Sequence, residues 1–389
     1  MTELLSALTD TARNAPESGI VATVNYGRTR AGLIPLWVGE GDLPTPAFIC
    51  EAATASLAAG ETFYTWQRGI PDLRAAIARY MQRTYGGSFG PERFFVTASG
   101  MQAIQIAMAM ITSAGDDVLV PTPVWPNFAA AAGIRGALPV AVPMSFGNDG
   151  WVLDLERLEA AIGPRTKAMF INSPSNPCGW TATREELAAI LAIARKHGIW
   201  IVADEIYGKF YFDGPVAPSF REVMADGDKV MFVNTMSKNW AMTGWRVGWI
   251  ECDPSLGAVV ENMIQYSTSG VAQFIQRAAA TALDHGDDFI AMQVGRARRG
   301  RDLVCDALAA TGKVRFARPA GAFYLFFSVD GRPDTRQLSF DLVDRANIGL
   351  APGTAFGAGG EAFLRMCFAR GEDSLAIATE RLVAAINAI

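Results

Sequence analysis

The stretch "AMFINSPSNPCGWTATREELAAILAIARKHGIWIVADEIYG", residues 168–208, places a helix-like segment between two short apolar runs. The runs "AMFINS" and "WIVADE" have the length and the near-continuous apolar character of strands in a sheet that is covered on both faces. The segment "TREELAAILAIARKHG" begins with a threonine cap and acidic residues and ends at Gly198, as a helix does. The stretch therefore predicts a strand–helix–strand unit.

The same alternation extends from about residue 94 to residue 250. Apolar runs recur as "FFVTAS", "DVLVPT", "LPVAVPM", "VMFVNTMS" and "RVGWIE", with helix-like segments such as "MQAIQIAMAMITSAG" between them. This pattern predicts an α/β fold with a mostly parallel sheet, in which ligands bind outside the carboxyl ends of the strands. After about residue 285 the pattern changes, and a long helix followed by further apolar runs predicts a second, smaller α/β unit.

The composition indicates a globular protein and disfavours several kinds of function. Half of the 389 residues are hydrophobic and the net charge is −5, whereas nucleic-acid binding needs clustered Lys and Arg. No signal peptide and no apolar run of about 18 residues is present, so we expect a cytoplasmic protein that binds neither nucleic acid nor a membrane. Five scattered cysteines and two histidines favour neither disulfides nor a metal site, so the chemistry must use Lys, Tyr, Asp, Cys or a cofactor.

One lysine lies in an unusually apolar setting. The stretch "NTMSKNWAMTGWRVGW", residues 234–249, contains Lys238 among methionines and tryptophans, with Arg246 eight residues later. Lys238 is either a surface lysine at the edge of an apolar strand or a lysine kept partly dry so that it can act as a nucleophile. The motifs elsewhere in the chain have to decide between the two.

Further polar residues follow the other predicted strands. Residues 99–101, in "SGMQ", open a helix whose first amides can bind an anion. Asn176 lies among the prolines of "NSPSNPCG", and Asp204 and Tyr207 end the run "VADEIYG". Each motif by itself also fits an ordinary turn or helix cap.

In this order and spacing, the motifs resemble those of the class I/II aminotransferases, which are pyridoxal-phosphate-dependent enzymes of fold type I. The resemblance runs from "GEGDLPTP" near residue 39 to "FLRMCFAR" near residue 363 and includes "YTWQRGIPDLR", "PVWPNF", "SKNWAMTGWRVG", "RPAGAFY" and "APGTAFG". It implies a seven-stranded, mostly parallel sheet in a large domain of residues 41–284. It also implies a smaller α/β domain built from both chain termini, in which residues 1–40 join residues 285–389.

The resemblance implies pyridoxal 5'-phosphate as the cofactor. Lys238 matches the lysine that forms a Schiff base with the aldehyde, and Asp204 matches the carboxylate that keeps the pyridine nitrogen protonated. Tyr207 and Asn176 match the residues that donate hydrogen bonds to the ring hydroxyl. Trp125 matches the aromatic side chain that stacks on the ring. Lys238, Asp204 and Tyr207 are therefore the predicted catalytic residues.

The resemblance also implies how the phosphate is held. Arg246 suits a bidentate contact, and Tyr64 matches a tyrosine that reaches the phosphate in the neighbouring subunit, so that a homodimer with shared active sites is expected. The other predicted phosphate-binding residues are Ser99, Gly100, Met101, Thr235 and Ser237.

For the substrates, the resemblance implies an amino acid and a 2-oxo acid that react by a ping-pong mechanism. Arg365, in "FLRMCF", matches the arginine that binds the substrate carboxylate with two hydrogen bonds. Lys238 would move the α-proton, first as a base and then as an acid. The other predicted substrate-binding residues are Gly39, Asn176 and Trp125.

Three questions remain open at the level of sequence. The same scaffold serves lyases that eliminate a β-substituent, and some regulators use such a domain as a ligand sensor, although joined to a DNA-binding module that this sequence does not show. Trp66, Trp125 and Trp240 favour an aromatic or otherwise apolar amino donor. No arginine can be assigned to a second substrate carboxylate.

Overall fold

A computed structural model describes residues 3–148 and 150–388 of the chain. The α-helices of these residues are α1 (Glu3–Ser6), α2 (Asp10–Arg13), α3 (Val21–Gly27), α4 (Ala47–Ala58), α5 (Pro71–Tyr85), α6 (Gly100–Ile111), α7 (Asn127–Ile134), α8 (Leu155–Ala160), α9 (Arg184–His197), α10 (Gly257–Gln265), α11 (Gln273–His285), α12 (Asp287–Ala309), α13 (Thr335–Ala346) and α14 (Glu372–Asn387). The strands are β1 (Ile34–Pro35), β2 (Phe94–Thr97), β3 (Asp117–Thr122), β4 (Leu138–Pro143), β5 (Ser145–Gly147), β6 (Gly150–Val152), β7 (Thr166–Asn172), β8 (Trp200–Asp204), β9 (Val230–Thr235), β10 (Gly248–Glu251), β11 (Val314–Phe316), β12 (Tyr324–Val329), β13 (Ile348–Gly349), β14 (Ala351–Pro352) and β15 (Leu364–Cys367).

The predicted seven-stranded, mostly parallel sheet is confirmed. Its strand order is β2-β10-β9-β8-β7-β3-β4, and each strand corresponds to one of the apolar runs in the sequence. Strand β10 runs antiparallel to both of its neighbours, while the remaining pairs are parallel. Strands β2 and β10 are buried at every position, as expected where both faces of a sheet are covered.

Helix α9, between β7 and β8, begins and ends where the sequence predicts. The Thr183 Oγ1 accepts a hydrogen bond from the Glu186 amide at 3.1 Å, and the Glu186 carboxylate accepts one from the Thr183 amide at 2.8 Å. Gly198 ends the helix with φ 66°, a left-handed conformation that glycine adopts without a steric penalty. The resulting strand–helix–strand unit pairs Asn172 with Asp204, so the carboxyl ends of β7 and β8 lie side by side.

Residues near both ends of the chain form a smaller α/β unit. Strands β11, β12, β15 and β14 form an antiparallel sheet in that order, and β1 pairs in parallel with β13. Helix α3 is attached to α13 by a buried hydrogen bond of 3.1 Å between the hydroxyls of Thr23 and Ser339. The predicted domain boundaries at residues 41 and 285 remain predictions.

A buried ion network lies beside the carboxyl end of β8. The Arg221 side chain is 4% exposed and donates to Glu205 at 2.6 Å and to Glu251 at 2.5 Å. Its guanidinium also lies 3.7 Å from the ring centroid of Phe232. Because Glu205 directly follows Asp204, the network holds the segment that carries this predicted catalytic residue.

Replacing Arg221 with methionine is expected to lower the free energy of unfolding by about 3–5 kcal/mol, because two buried carboxylates would lose their cation. Urea denaturation would measure the loss. The control is Arg184→Met, since the Arg184 side chain is 60% exposed and lies 3.9 Å from Glu222; here we expect a change below about 1 kcal/mol. Equal losses in the two variants would contradict the assigned role of the network.

Residues 3–148 and 150–388 contain neither a candidate membrane span nor a candidate metal site. No α-helix in these ranges has the length and apolar character needed to cross a membrane. No group of His, Cys, Asp and Glu side chains in them has the arrangement of a metal site. The cytoplasmic location remains a prediction.

Candidate active site

A cavity of about 480 Å³ lies at the carboxyl ends of β7, β8 and β9, where an open parallel sheet is expected to bind its ligands. The end residues of these strands, Asn172, Asp204 and Thr235, contribute to its wall. The predicted site residues that line the cavity are Gly39, Gly100, Met101, Trp125, Asn176, Asp204, Tyr207, Thr235, Ser237, Lys238, Arg246 and Arg365. The sequence-based prediction therefore brings twelve residues to one place, while Ser99 and Tyr64 lie outside the lining.

Lys238 lines the cavity, although most of its apolar neighbours in residues 234–249 do not. Met236, Trp240 and Met242 are at most 1% exposed and pack into the hydrophobic core instead of lining the cavity. The Lys238 Nζ donates a hydrogen bond to the Gly39 carbonyl at 2.7 Å. Burial lowers the pKa of Lys238 to about 8, so a larger share of this amine is neutral near pH 7 than for an exposed lysine. The nucleophile interpretation is therefore favoured over the surface lysine.

Asp204 is a buried carboxylate with few hydrogen-bond partners. It is 3% exposed, and the hydrogen bond recorded to its side chain within the described residues comes from the Ile206 amide at 3.4 Å. Burial raises the pKa of Asp204 to about 7, and the charge of Lys238 only partly offsets this effect. A buried carboxylate in this state is stabilised by a cationic N–H group placed against it. A protonated pyridine nitrogen fits this requirement.

Arg365 is the complementary case, a buried cation. It is 2% exposed, and among the described residues it pairs with no carboxylate. Its guanidinium donates to the Asn176 Oδ1 at 3.0 Å and to the Trp37 carbonyl, while its Nε has no partner there. The guanidinium lies between the rings of Tyr324 and Phe356, at 4.7 and 4.9 Å from their centroids. A carboxylate that enters the cavity would therefore meet an uncompensated guanidinium.

Tyr207 is held by a residue to which the sequence assigned no role. Its Oη lies 2.8 Å from the Oη of Tyr324, and both hydroxyls are buried. Burial raises the pKa of Tyr207 well above its ordinary value, so the phenol stays protonated and can donate a hydrogen bond. Tyr324 thus contacts both Tyr207 and Arg365 and fixes their relative positions.

The first residues of α6 line the cavity. Gly100 and Met101 begin the helix, and the Ser99 hydroxyl accepts a hydrogen bond from the Gln102 amide at 3.1 Å. Ser99 therefore caps the helix. A β-carbon on Gly248 would lie 2.9 Å from the Gly100 amide nitrogen, so only glycine lets β10 approach this closely. The helix end has the chemistry of an anion site.

Three further side chains face the same region. The hydroxyls of Thr235 and Ser237 lie 2.8 Å apart. Arg246 is exposed, lines the cavity, and adopts φ 56°, a left-handed conformation that costs a residue other than glycine about 1–2 kcal/mol. Its Nη1 donates to the Thr243 carbonyl at 2.6 Å. Two hydroxyls, a guanidinium and helix amides together form a donor set that suits a phosphate dianion.

The three tryptophans that favoured an apolar donor do not lie together in the folded chain. Trp125 lines the cavity. Trp240 is fully buried, with its ring centroid 5.2 Å from that of Tyr80, because its indole fills the core behind the lysine stretch. Trp66 is 62% exposed and lies outside the cavity. Trp240 therefore does not support the expectation of an apolar donor.

Tyr64 lies in what we call the aromatic patch, which consists of Phe63, Tyr64, Trp66 and Tyr266. These side chains are 82%, 91%, 62% and 88% exposed. The segments that carry them are adjacent, since the Thr65 Oγ1 donates to the Val271 carbonyl at 2.9 Å. Exposed aromatic groups on this scale are characteristic of an interaction surface.

Sequence reasoning missed several residues of the cavity. Asn172 accepts a hydrogen bond from the Asn176 amide at 2.8 Å and donates to the Asp204 carbonyl at 3.1 Å, so it orients both neighbours. Its position at the end of a predicted strand, four residues before Asn176, was a usable signal. The other lining residues that the sequence did not predict are Ser18, Ile20, Val21, Val24, Trp37, Val38, Glu40, Ile104, Asn127, Ile206, Val233, Thr243 and Tyr324.

Comparisons with known proteins agree with this geometry. The model of the family "Aminotransferase class I and II" matches residues 32–382. A probable aspartate/prephenate aminotransferase of Thermus aquaticus is 34% identical over 366 residues, which cover 92% of this chain and 93% of that protein. The arginine–pyruvate transaminase of Pseudomonas aeruginosa is 35% identical over 354 residues, covering 90% and 89%. A single mutant of Thermus thermophilus aspartate aminotransferase has a similar fold, with a TM-score of 0.90, 32% identity and coverage of 97% and 99%.

Proposed function

The chain belongs to the class I and II aminotransferases and is an aminotransferase, and from this premise we propose that it works with pyridoxal 5'-phosphate bound covalently to Lys238. One observation carries the proposal. Among the described residues, a single cavity holds an amine of lowered pKa, a buried carboxylate with no hydrogen-bonded cation and a buried guanidinium with no carboxylate partner. An amino acid and this cofactor together supply the partners that all three groups lack.

The residues around Lys238 would hold the cofactor ring. When bound, pyridoxal phosphate supplies an electron sink for the negative charge that develops on the substrate when its α-carbon loses a proton. Asp204 would keep the pyridine nitrogen protonated through a charged hydrogen bond. Tyr207 and Asn176 would donate hydrogen bonds to the ring oxygen, and Trp125 would cover one face of the ring.

The phosphate would lie at the beginning of α6. The amides of Gly100 and Met101 would donate to its oxygens, and Arg246 would add a bidentate contact. Thr235 and Ser237 would contribute their hydroxyls. The Ser99 hydroxyl accepts the Gln102 amide in the helix cap, and its O–H would still be able to donate to the phosphate.

Arg365 would bind the substrate carboxylate, and Asn176 and the backbone at Gly39 would contribute to the same contact. Lys238, once released from the cofactor, would take the proton from the α-carbon at its Nζ and later return it. Its lowered pKa suits this exchange near neutral pH. The chemistry therefore needs no second titratable base in the cavity.

The proposal is tested with the purified, cofactor-loaded protein and an amino acid in the absence of any oxo acid. A ping-pong aminotransferase releases one equivalent of 2-oxo acid per site and then stops until an acceptor is added. Continuous release of ammonia would indicate the lyase, which the comparisons do not favour. Cofactor binding with neither product would indicate a sensor.

Replacing Arg365 with lysine is expected to lower kcat/KM for the amino donor by about 10- to 100-fold, mainly through KM, because an ammonium cannot form the two-point contact. The control is Arg370→Lys in the same motif. The Arg370 Nη2 donates to the Pro35 carbonyl at 2.9 Å, and this side chain does not line the cavity. Steady-state kinetics with the amino donor would measure both. An unchanged KM in the Arg365 variant would remove this residue from the substrate site.

We further propose a homodimer with shared active sites, with the domain division 41–284 and 285–389 and with residues 1–40 joining the second unit. The exposed aromatic patch supports the shared site, because Tyr64 is 91% exposed and does not line the cavity of its own chain. In the dimer Tyr64 would bind the phosphate in the neighbouring subunit.

A mixture of two inactive chains tests the shared site. Tyr64→Ala and Lys238→Ala homodimers are each expected to be impaired, whereas a hybrid dimer contains one site with both residues intact. Activity should therefore rise after the two proteins are unfolded and refolded together, compared with each protein refolded alone. If mixing gives only the average of the two activities, Tyr64 does not act across an interface.

A further inference from the structure

We infer that the amino donor is an amino acid with one carboxylate and an apolar side chain, an inference that rests on the proposed function of the cavity. The cationic side chains that line the cavity within the described residues are those of Lys238, Arg246 and Arg365. The proposed function uses one for the cofactor aldehyde, one for the phosphate and one for the α-carboxylate. A donor with a second carboxylate would find no further cation to pair with.

The wall of the cavity near the N-terminus of the chain is mostly apolar, with Ser18 as the polar residue among its lining residues 18–24. Ile20, Val21 and Val24 line it, together with Trp37 and Ile104, which are each 2% exposed. These five side chains offer hydrocarbon surface and no hydrogen-bond acceptor. An apolar substrate side chain would gain about fourfold in affinity for each methylene that it buries there.

This wall is held in place by the fold. Helix α3 carries Val21 and Val24, and its Tyr26 hydroxyl donates to the Asp344 carboxylate on α13 at 3.0 Å. On the other side, a β-carbon on Gly27 would lie 2.8 Å from the Trp37 ring, so the helix packs closely on the cavity wall. The apolar surface is therefore a fixed part of the site.

A carboxylate in the cavity lining disfavours an acidic donor. Glu40 lines the cavity, and its carboxylate accepts a hydrogen bond from the Thr243 hydroxyl at 2.8 Å. Its negative charge would repel a second substrate carboxylate. A cationic donor could pair with Glu40, but the Thr243 hydroxyl already donates to one of the Glu40 carboxylate oxygens. The neighbouring wall is also hydrocarbon, so we favour an apolar donor over a cationic one.

The aromatic patch, which the proposed dimer would bring to the neighbouring site, adds no cation either. Its two segments, residues 62–66 and 266–272, read "TFYTW" and "YSTSGVA" and contain no Lys or Arg. The adjacent Arg68 is paired with Glu261 at 2.7 Å. A shared site built with these segments would gain aromatic surface and keep its preference for an apolar side chain.

A rate comparison with the cofactor-loaded protein tests the inference. We expect kcat/KM for oxo-acid release from leucine, methionine or phenylalanine to exceed that from aspartate, glutamate, lysine or arginine by about 100-fold. An acidic or basic donor that reacts as fast as the apolar ones overturns the inference while the proposed function stands. If no amino acid of either kind releases an oxo acid, the proposed function itself fails.

Binding gives a second readout that needs no turnover. Acids without an α-amino group should perturb the visible spectrum of the bound cofactor, and 4-methylpentanoate or 3-phenylpropionate should bind more tightly than succinate or 6-aminohexanoate. Tighter binding of succinate or of 6-aminohexanoate would contradict the inference.

A matched pair of variants then tests the wall directly. Val21→Lys places a cation on α3 at a residue that is 49% exposed, and Val259→Lys places one on α10 at a residue that is 50% exposed and lies outside the cavity lining. We expect Val21→Lys to raise the ratio of aspartate to leucine activity by at least about tenfold, and Val259→Lys to leave it unchanged. An unchanged ratio in the Val21 variant would show that this wall does not select the donor.

Discussion

Replacing Lys238 with alanine is expected to abolish transamination, with a fall in kcat of more than about 10⁴-fold. The change removes both the proposed nucleophile for the cofactor and the proposed base for the substrate proton, and general base catalysis alone contributes about 10²–10⁴-fold. The structure gives the reason for the choice of residue, since the Nζ lies in the cavity with its pKa lowered to about 8. Turnover of amino acid and oxo acid would measure the loss.

A control variant separates this effect from a general loss of folding. Lys209 is also partly buried, and burial likewise lowers its pKa, but it lies outside the cavity lining. We expect Lys209→Ala to retain activity and the visible absorbance of the covalently bound cofactor, and Lys238→Ala to lose both. Full turnover by Lys238→Ala would contradict the proposed role of Lys238.

The fold was predictable because its signals are local. Helix α9 begins at its cap Thr183 and ends at its cap Gly198, and both signals lie within a few residues of the turns that they affect. The strands of the central sheet are likewise continuous apolar runs. The motifs near the strand ends contained Asn176, Asp204 and the lysine stretch, and the resemblance to the class I/II aminotransferases gave these residues their predicted roles. A regular βα repeat places successive strand ends at one edge of a sheet, so these residues had to meet.

The remaining parts of the site depend on contacts between distant parts of the chain. The Tyr207–Tyr324 hydrogen bond joins residues that are 117 positions apart, and the Arg365 contact with the Trp37 carbonyl spans 328 positions. No local pattern fixes such pairs. The same limit explains Trp240, because a bulky side chain close in sequence to Lys238 can point away from the cavity into the core.

The cavity also shows why the two unpaired charges matter together. Asp204 and Arg365 both line it, yet neither pairs with a counter-ion among the described residues. Two buried charges of opposite sign that do not pair with each other are costly to the folded chain unless ligands complete them. This cost is expected to make cofactor and substrate binding stabilise the protein.

Replacing Asp204 with asparagine is expected to lower kcat by about 10²–10³-fold, because asparagine keeps the shape of the side chain but loses the charge that, under the proposed function, would hold the pyridine nitrogen protonated. Covalent binding at Lys238 should survive, so the visible absorbance should remain while turnover falls. The control is Asp213→Asn, an exposed residue outside the cavity lining, which should leave kcat unchanged. A kcat in the Asp204 variant equal to that of the control would rule out the proposed role.

The pH dependence of stability gives Asp204 a second, independent signature. Burial raises its pKa to about 7 in the folded chain, well above the value of about 4 in the unfolded chain. Between about pH 4 and pH 7 the folded state therefore binds more protons at this residue, so its contribution to stability falls as the pH rises. Asp204→Asn removes this contribution, and the cofactor-free variant should gain stability relative to the wild type across that window. The gain should shrink when the cofactor is bound, because a pyridinium lowers the pKa of Asp204 again. Parallel stability–pH curves for the two cofactor-free proteins would show that Asp204 is not the buried acid that the geometry indicates.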